Sequence, residues 1–433
     1  MKVQILHGDN RQRLKEFPDN HFDSCVCDPP YELGFMGKAW DKSGIAYDVP
    51  MWKEVYRVLK PGAHLLAFGG SRTYHRLACA IEDAGFQIRD QIMWLYGKGF
   101  PKSLDVSKAI DKAAGAEREV VEKRTDGRYA YGFSDEAKKA CGVDNPQQGF
   151  VGEMGIITAP ATDLAQQWQG WGTALKPAHE PIVVARKPLE GTVIQNILKH
   201  GTGAINVAGC RIEGEVNSNP LVRNAQGFQS DGLIQGETRA GVMSTGRWPA
   251  NVIHDGSEEV LASFPDSKGQ QGDVRGTEQS HTGGEGTACY GEYGRVPAGK
   301  RGDNGSAARF FYCAKASQEE RNRGLETRKA SQRDESRKEG NPGGDNPRNR
   351  GVKPVKNNHP TVKPLALMCY LVRLVMPPGG LGLDMFCGSG STLIAFALEG
   401  FNAVGIDLET ENCELARRRC RGHLGMLAEV VNQ

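Results

Sequence analysis

Short apolar runs alternate with amphipathic stretches over the first hundred residues. The runs "VQILHGD" (3–9), "FDSCVCDPP" (22–30), "AHLLAFGG" (63–70) and "DQIMWLY" (90–96) are continuous rather than alternating, which predicts strands buried on both faces. Between them, "MWKEVYRVLKPG" and "RTYHRLACAIEDAG" place apolar residues three and four apart and stop at Pro-Gly or Gly, predicting helices. Strand and helix in alternation predict a largely parallel sheet with helices on its faces. The pattern then breaks. Residues 97–177 are polar, with one helix predicted near "SLDVSKAIDKAAG", and "EPIVVARK" (180–187) reads as a further strand.

Order returns near the C-terminus. "HPTVKPLALMCYLVRLVMPPGG" predicts an amphipathic helix opened by one proline and stopped by Pro-Pro-Gly-Gly. "LGLDMFCGSGSTLIAFALEGFNAVGIDLE" then reads as strand, glycine loop, helix, strand and acid, and "TENCELARRRC" predicts a closing helix. The expected fold class is α/β with seven strands.

Composition narrows the classes. The 433 residues suffice for one large α/β domain and a second module, and the net charge of +2 requires any nucleic-acid surface to come from local clustering. The 11 cysteines form no CxxC pair, so neither a zinc site nor a disulfide framework is expected, and no metal is. The N-terminal "MKVQILHGDN" turns polar too early for a signal peptide, and no apolar run is long enough to span a membrane. The 55 glycines concentrate in the middle, with residues 267–305 especially rich. From 314 to 356 twelve Lys/Arg stand against seven Asp/Glu, a basic linker or a solvated surface.

Two motifs carry chemistry. In "LDMFCGSGST", Asp384 ends a strand and Gly388 and Gly390 open the turn into a helix, where a ligand can approach the backbone. Asp407 ends the next strand, where an acid accepts hydrogen bonds from ribose hydroxyls. The dinucleotide fingerprint needs a third glycine or alanine where Leu393 stands, and Asp384 suits a cation rather than a pyrophosphate. S-adenosylmethionine therefore fits better than NAD, although a GxG turn also occurs with no ligand.

The second motif is Asp28-Pro29-Pro30-Tyr31 at the end of a predicted parallel strand. An exocyclic amino group conjugated to a base ring is a poor nucleophile. Acceptors on its hydrogens draw the lone pair out of conjugation, and Asp28 with the rigid Pro29 carbonyl can supply two, while Tyr31 offers a stacking face. A plain strand-stopping turn would use the same residues.

Together these residues resemble the amino-group DNA methyltransferases, which modify adenine N6 or cytosine N4. Their [D/N/S]-P-P-[Y/F/W] signature is matched by Asp28 to Tyr31, their S-adenosylmethionine loop by "DMFCGSG", and the short motif before the cofactor strand by "HPTVKP". The catalytic motif precedes the cofactor loop, which resembles the circularly permuted β-class. The resemblance implies a Rossmann-like seven-stranded sheet of order 3-2-1-4-5-7-6 with strand 7 antiparallel. It divides the chain into catalytic pieces at 1–98, 179–190 and 357–433, a polar insertion at 99–178, and a target-recognition region with basic linker at 191–356.

Residue roles follow from position. The resemblance implies that Asp9 and Asn10 meet the cofactor adenine, Thr361 and Lys363 the methionine carboxylate, and Phe386, Cys387, Gly388, Ser389 and Gly390 the cofactor, with Asp384 and Asp407. Trp94 and Lys98 lie where family members contact the flipped base or nearby DNA; Trp94 equally fits a core position and Asn10 a helix cap. In the middle region Arg247, Trp248 and Arg309 interleave charge with aromatics, as a DNA surface does. Because family members with Asp at the first catalytic position are mostly N6 enzymes, the resemblance implies adenine N6 in double-stranded DNA, with cytosine N4 as the alternative and an RNA or protein amide the less favoured one. The implied setting is the cytoplasm of a bacterium or of a phage host, and the class often forms homodimers.

Overall fold

The structure, a computed structural model, describes residues 1–34, 39–97, 99, 103–123, 156–213, 246–268, 304–314, 318–328, 356–357, 359 and 361–432. Lys98 and most of the glycine-rich middle lie outside the described residues. The chain forms two units: Met1–Gly97, His179–Ser317 and Lys363–Gln433 make the first, and Lys98–Ala178 with Gln318–Val362 the second.

The first unit is built on one sheet of ten strands: β1 Lys2–His7, β2 Phe22–Cys27, β3 Leu59–Phe68, β4 Gln87–Leu95, β5 His179–Arg186, β6 Val252–His254, β7 Tyr312–Cys313, β8 Leu381–Asp384, β9 Asn402–Asp407 and β10 Glu429–Asn432. Their spatial order is β7-β6-β4-β5-β3-β2-β8-β9-β1-β10. β5 runs antiparallel to β3 and β4, and every other pairing is parallel. From β1 inward to β4 this is the 3-2-1-4-5-7-6 order, with the seventh strand reversed. The sheet is wider than the seven strands expected. β10 follows the last helix, where the sequence predicted the chain to close, and β6 and β7 come from the middle region.

Burial on both sheet faces follows from the period of two along each strand. On β2, Cys25 and Cys27 join one apolar cluster and Val26 the other; on β3, Leu65 and Ala67 alternate with Leu66 and Phe68 in the same way. The helices Val49–Val58 and Tyr74–Asp83 cover the first face, and Leu365–Val375, Ser391–Leu398 and Thr410–Leu424 the second. Each fully buried Val, Leu or Phe contributes roughly 1.5–3 kcal/mol. The helix Ser391–Leu398 is buried along seven residues and sits tight on the sheet. A Cβ on Gly382 of β8 would stand 2.3 Å from the Phe396 ring, so glycine lets helix and central strand approach.

The second unit is polar at its centre. Buried Asp111, on the helix Val106–Ala113, accepts hydrogen bonds from Arg118 Nη1 (2.5 Å), Ala161 N (3.0 Å) and Thr162 N (3.1 Å) and Oγ1 (2.8 Å). The short antiparallel pair Val120–Lys123 and Ile156–Thr158 lies beside it in this unit. Among the described residues no helix is long and apolar enough to cross a membrane, and no group of three acidic, His or Cys side chains could hold a metal.

Candidate active site

Parallel strands end on one edge of the sheet, and an open α/β sheet binds its ligands there. β2 ends at Cys27 and hands over to Asp28; β8 ends at Asp384; β9 ends at Asp407; β1 is followed by Asp9 and Asn10. The pairings Gly382↔Ser24 and Leu383↔Cys25 make β2 and β8 neighbours, so two motifs far apart in sequence meet side by side. The antiparallel β5 presents its start, rather than its end, on this edge. Glu180 therefore reaches the site, opposite Trp94 on β4.

Three side chains, Lys363, Tyr31 and Glu180, converge with Asp28. Lys363 Nζ donates to Asp28 Oδ2 (2.7 Å) and to the Tyr31 hydroxyl (3.1 Å), and lies 3.4 Å from Glu180 Oε2. The Tyr31 hydroxyl donates to Glu180 Oε2 (2.8 Å), and the Tyr31 carbonyl accepts from Thr73 Oγ1 (2.7 Å). Asp28 Oδ1 is buried without a hydrogen-bond partner. An orphaned buried acceptor is costly unless a ligand's donor meets it.

Burial and charge compete here. Burial pushes the Asp28 carboxyl above its usual range; Lys363 pulls it back, and Glu180 pushes it up again. For Lys363 burial favours the neutral amine, but the Asp28 and Glu180 carboxylates outweigh it and raise the ammonium's pKa. Burial first, then the two acids, push the Tyr31 phenol well above its ordinary value, so it remains a neutral donor.

The glycine loop follows β8. Asp384 is 1% exposed and accepts from Phe386 N (3.1 Å). Cys387 N donates to Ile406 O (3.0 Å), and Gly390 N to Cys387 O (2.7 Å). Phe386 packs half-buried against the apolar cluster. Gly388 N donates to Asp407 Oδ2 (2.8 Å), while Asp407 Oδ1 accepts from Glu409 N and Asn412 Nδ2, both at 3.0 Å. Behind the loop, fully buried Arg419 donates from Nη1 to Ser389 O (2.7 Å), Ser389 Oγ (2.9 Å) and Ser391 Oγ (3.1 Å).

Burial pushes the Asp384 carboxyl up to about 7, against bonds from Thr392 and Phe386 that lower it. The folded protein thus binds a proton at this site that the unfolded chain has already lost. Stability contributed by neutral Asp384 is present below pH about 4 and is lost as pH rises to about 7. Urea unfolding should show that decline, by up to roughly 4 kcal/mol, and Asp384→Asn should flatten it. An equal slope in the variant would refute the assignment.

Other predicted residues are placed as follows. Asp9 N-caps the helix Asn10–Arg13 and pairs with Arg11 at 2.6 Å, so the cap is Asp9 rather than Asn10. Asn10 is buried instead and donates from Nδ2 to Met385 O (3.4 Å) beside the glycine loop. Lys363, expected at the methionine carboxylate, lies against Asp28. Thr361 belongs to the second unit and is exposed. Trp94 packs half-buried on the core, 5.3 Å from the Tyr96 ring, its buried Nε1 without a partner. Arg247 Nη1 donates to Glu213 O and Arg309 O, both at 3.2 Å. Arg309 donates to Gly305 O, Ser306 O and Ser267 O. These arginines brace main-chain carbonyls, while Trp248 stays 67% exposed with Arg211 over its ring.

Glu180 and Arg419 were not foreseen. Glu180 is the second residue of β5, just ahead of its apolar run from Pro181 to Ala185. Arg419 falls on the inward face of its helix, with Cys413, Ala416 and Cys420, and that spacing was available in the sequence.

A family model described as DNA methylase, for the N6/N4 class, matches residues 22–418. The chain belongs to the N6/N4 DNA methylase family. Among curated relatives, a putative methylase YubD of Escherichia coli is 33% identical over 90 residues, 20% of this chain and 39% of the relative. The type II methyltransferase M.HindIII of Haemophilus influenzae is 26% identical over 162 residues, 36% of this chain and 38% of that protein. The chain thus spans well under half the length of these relatives. Among solved structures, a putative DNA modification methylase from Thermus thermophilus in complex with S-adenosyl-L-methionine aligns over 100% of this chain and 98% of that chain, at 15% identity and a TM-score of 0.37. The cytosine-N4-specific PvuII DNA methyltransferase aligns over 97% and 86%, at 11% identity and a TM-score of 0.42.

Proposed function

We propose that the protein methylates the exocyclic N6 of adenine in double-stranded DNA, with S-adenosylmethionine as methyl donor. The observation that carries this reading is the adjacency of Asp28, with its open buried Oδ1, to the strand that bears Asp384 and the glycine loop. The residues fit the donor chemically. Acids at the ends of β8 and β9 suit an ammonium and a ribose, and a backbone loop without side chains at Gly388 and Gly390 suits close approach. Asp384, Phe386, Cys387, Gly388, Ser389, Gly390, Asp407 and buried Asn10 would hold it. When bound, S-adenosylmethionine supplies an electrophilic methyl on a sulfonium.

The chain's own residues then act on the base. Inside a duplex the amino group is out of reach, so the adenine must be flipped out. The Tyr31 ring offers a stacking surface, and Asp28 Oδ1 accepts one amino hydrogen while the Pro29 carbonyl is the candidate for the other. Both acceptors pull the nitrogen toward tetrahedral geometry and free its lone pair. Proximity and orientation supply much of the remaining acceleration. Adenine is favoured over cytosine because, in the family that the motif resembles, Asp at its first position goes mostly with N6 enzymes.

The test is nucleoside analysis of DNA from cells expressing the protein, paired with long-read sequencing for the modified context. N6-methyladenine is expected; N4-methylcytosine alone would overturn the choice of base.

A further inference from the structure

Lys363 is 7% exposed and meets three polar groups of the site at once. Its Nζ also stands over the Tyr31 ring at 5.3 Å and the Phe68 ring at 4.8 Å. A lysine so held is a fixed cation rather than a mobile one. Glu180 is its counterpart: one oxygen, Oε2, takes both the Tyr31 hydroxyl and the Lys363 ammonium.

We propose that Lys363 and Glu180 are positioning residues that clamp Asp28 and Tyr31 in the geometry a flipped base needs. The inference rests on the methyltransferase reading and names what prepares its catalytic motif. Lys363 ties down Asp28 Oδ2, which opposes rotation of the carboxylate and leaves the buried Oδ1 as the oxygen without a partner. Glu180 ties down the phenol hydroxyl, so the Tyr31 ring plane is set before a base arrives. Lys363 is a cation set between two acids, Asp28 and Glu180, with Asp384, Tyr31 and the Cys27 thiol the further titratable groups that face Asp28. Without the cation, burial and the facing acids would all drive Asp28 toward its neutral form, which donates where an acceptor is wanted.

The experiment compares wild type with Lys363→Met, Lys363→Arg and the double variant Lys363→Met/Glu180→Gln. The Asp28 carboxyl is followed by carbon NMR, assigned by its loss in Asp28→Asn, and single-turnover methyl transfer is followed against pH. In Lys363→Met the Asp28 midpoint should rise by at least about one pH unit, and transfer at pH 7 should fall at least about 30-fold with recovery toward high pH. Lys363→Arg should restore the midpoint because the charge is kept. The double variant should recover part of the loss, because removing Glu180's charge relieves repulsion on Asp28. An Asp28 midpoint unchanged in Lys363→Met, with weaker S-adenosylmethionine binding by calorimetry, overturns the proposal and returns Lys363 to the cofactor. The carboxyl titration needs no turnover. Absence of methyl transfer by wild type would therefore count against the methyltransferase reading while the NMR midpoints still decide the clamp.

Discussion

Asp28→Ala should lower single-turnover methyl transfer by about a thousand-fold or more, while S-adenosylmethionine affinity changes by less than about three-fold. One preorganised hydrogen-bonding group at a site of developing charge is worth roughly 10²–10³ in rate. Asp28 combines that role with a formal negative charge. Its Oδ1 is the buried acceptor without a partner, and its Oδ2 is the anchor for Lys363. Alanine removes both and leaves an ammonium that is 7% exposed without its 2.7 Å carboxylate partner. Some loss of thermal stability should therefore accompany the loss of rate. Asp28→Asn separates acceptor from charge. Its amide oxygen would go to Lys363, which turns an NH2 donor toward the base, so a loss of about 10–100-fold is expected, milder than for alanine. The checks are a rapid-quench assay with duplex DNA and calorimetric titration of the cofactor. A cofactor affinity that collapses together with the rate would mean that Asp28 supports the glycine loop rather than the base.

The strand ends were readable because an acid or Asp-Pro-Pro after a continuous apolar run tells where a parallel strand stops, while the seven-strand order came from the family that the motifs resemble. The three additional strands were not readable for a physical reason. β6, β7 and β10 are two to four residues long, too short for any period to stand out from a turn. They are strands only because neighbouring edges offer them hydrogen bonds.

The site was legible in its types and less so in its partners. Asp28, Tyr31, Asp384 and Asp407 sit on one sheet edge, as their spacing along the chain suggested. Lys363 shows the limit. Its motif names no partner within the chain, and the segment entering the helix Leu365–Val375 sets its ammonium between Asp28 and Glu180. Glu180 follows the same logic: a charge at the start of a strand reads as solvent-facing until the strand is known to run antiparallel. Arg247 and Arg309 interleave with aromatics in space as well as in sequence, both guanidiniums lying over the Phe310 ring while also donating to main-chain carbonyls. A short subdomain with few apolar residues uses such donors to fix its own loops.

Gly390→Val should cost at least about 100-fold in S-adenosylmethionine affinity and lower the Tm by about 5–10 °C. Two separate effects add. Gly390 sits at φ 80 and ψ 17, the left-handed region, where it caps the helix Ser391–Leu398. A β-branched residue there is a genuine outlier, with a strain of roughly 1–3 kcal/mol. A Cβ at this position would also stand 3.0 Å from Ala416 Cβ and 3.1 Å from Ala416 Cα. The second neighbour is backbone of the helix Thr410–Leu424, which Arg419 ties to Ser389 and Ser391, so neither side yields easily. Crowding of this kind costs a further ~1–3 kcal/mol. The loop must shift to relieve it, and with it goes the Gly388 N–H bond to Asp407 that holds the acid in place. The two effects can be told apart by pairing Gly390→Ala with Ala416→Gly. Removing the Ala416 methyl should return the crowding part of the stability and leave the backbone strain. Calorimetric cofactor titration and thermal melts check both. Near-wild-type affinity in Gly390→Val would mean that the glycine serves the turn alone and that the cofactor does not lie against this loop.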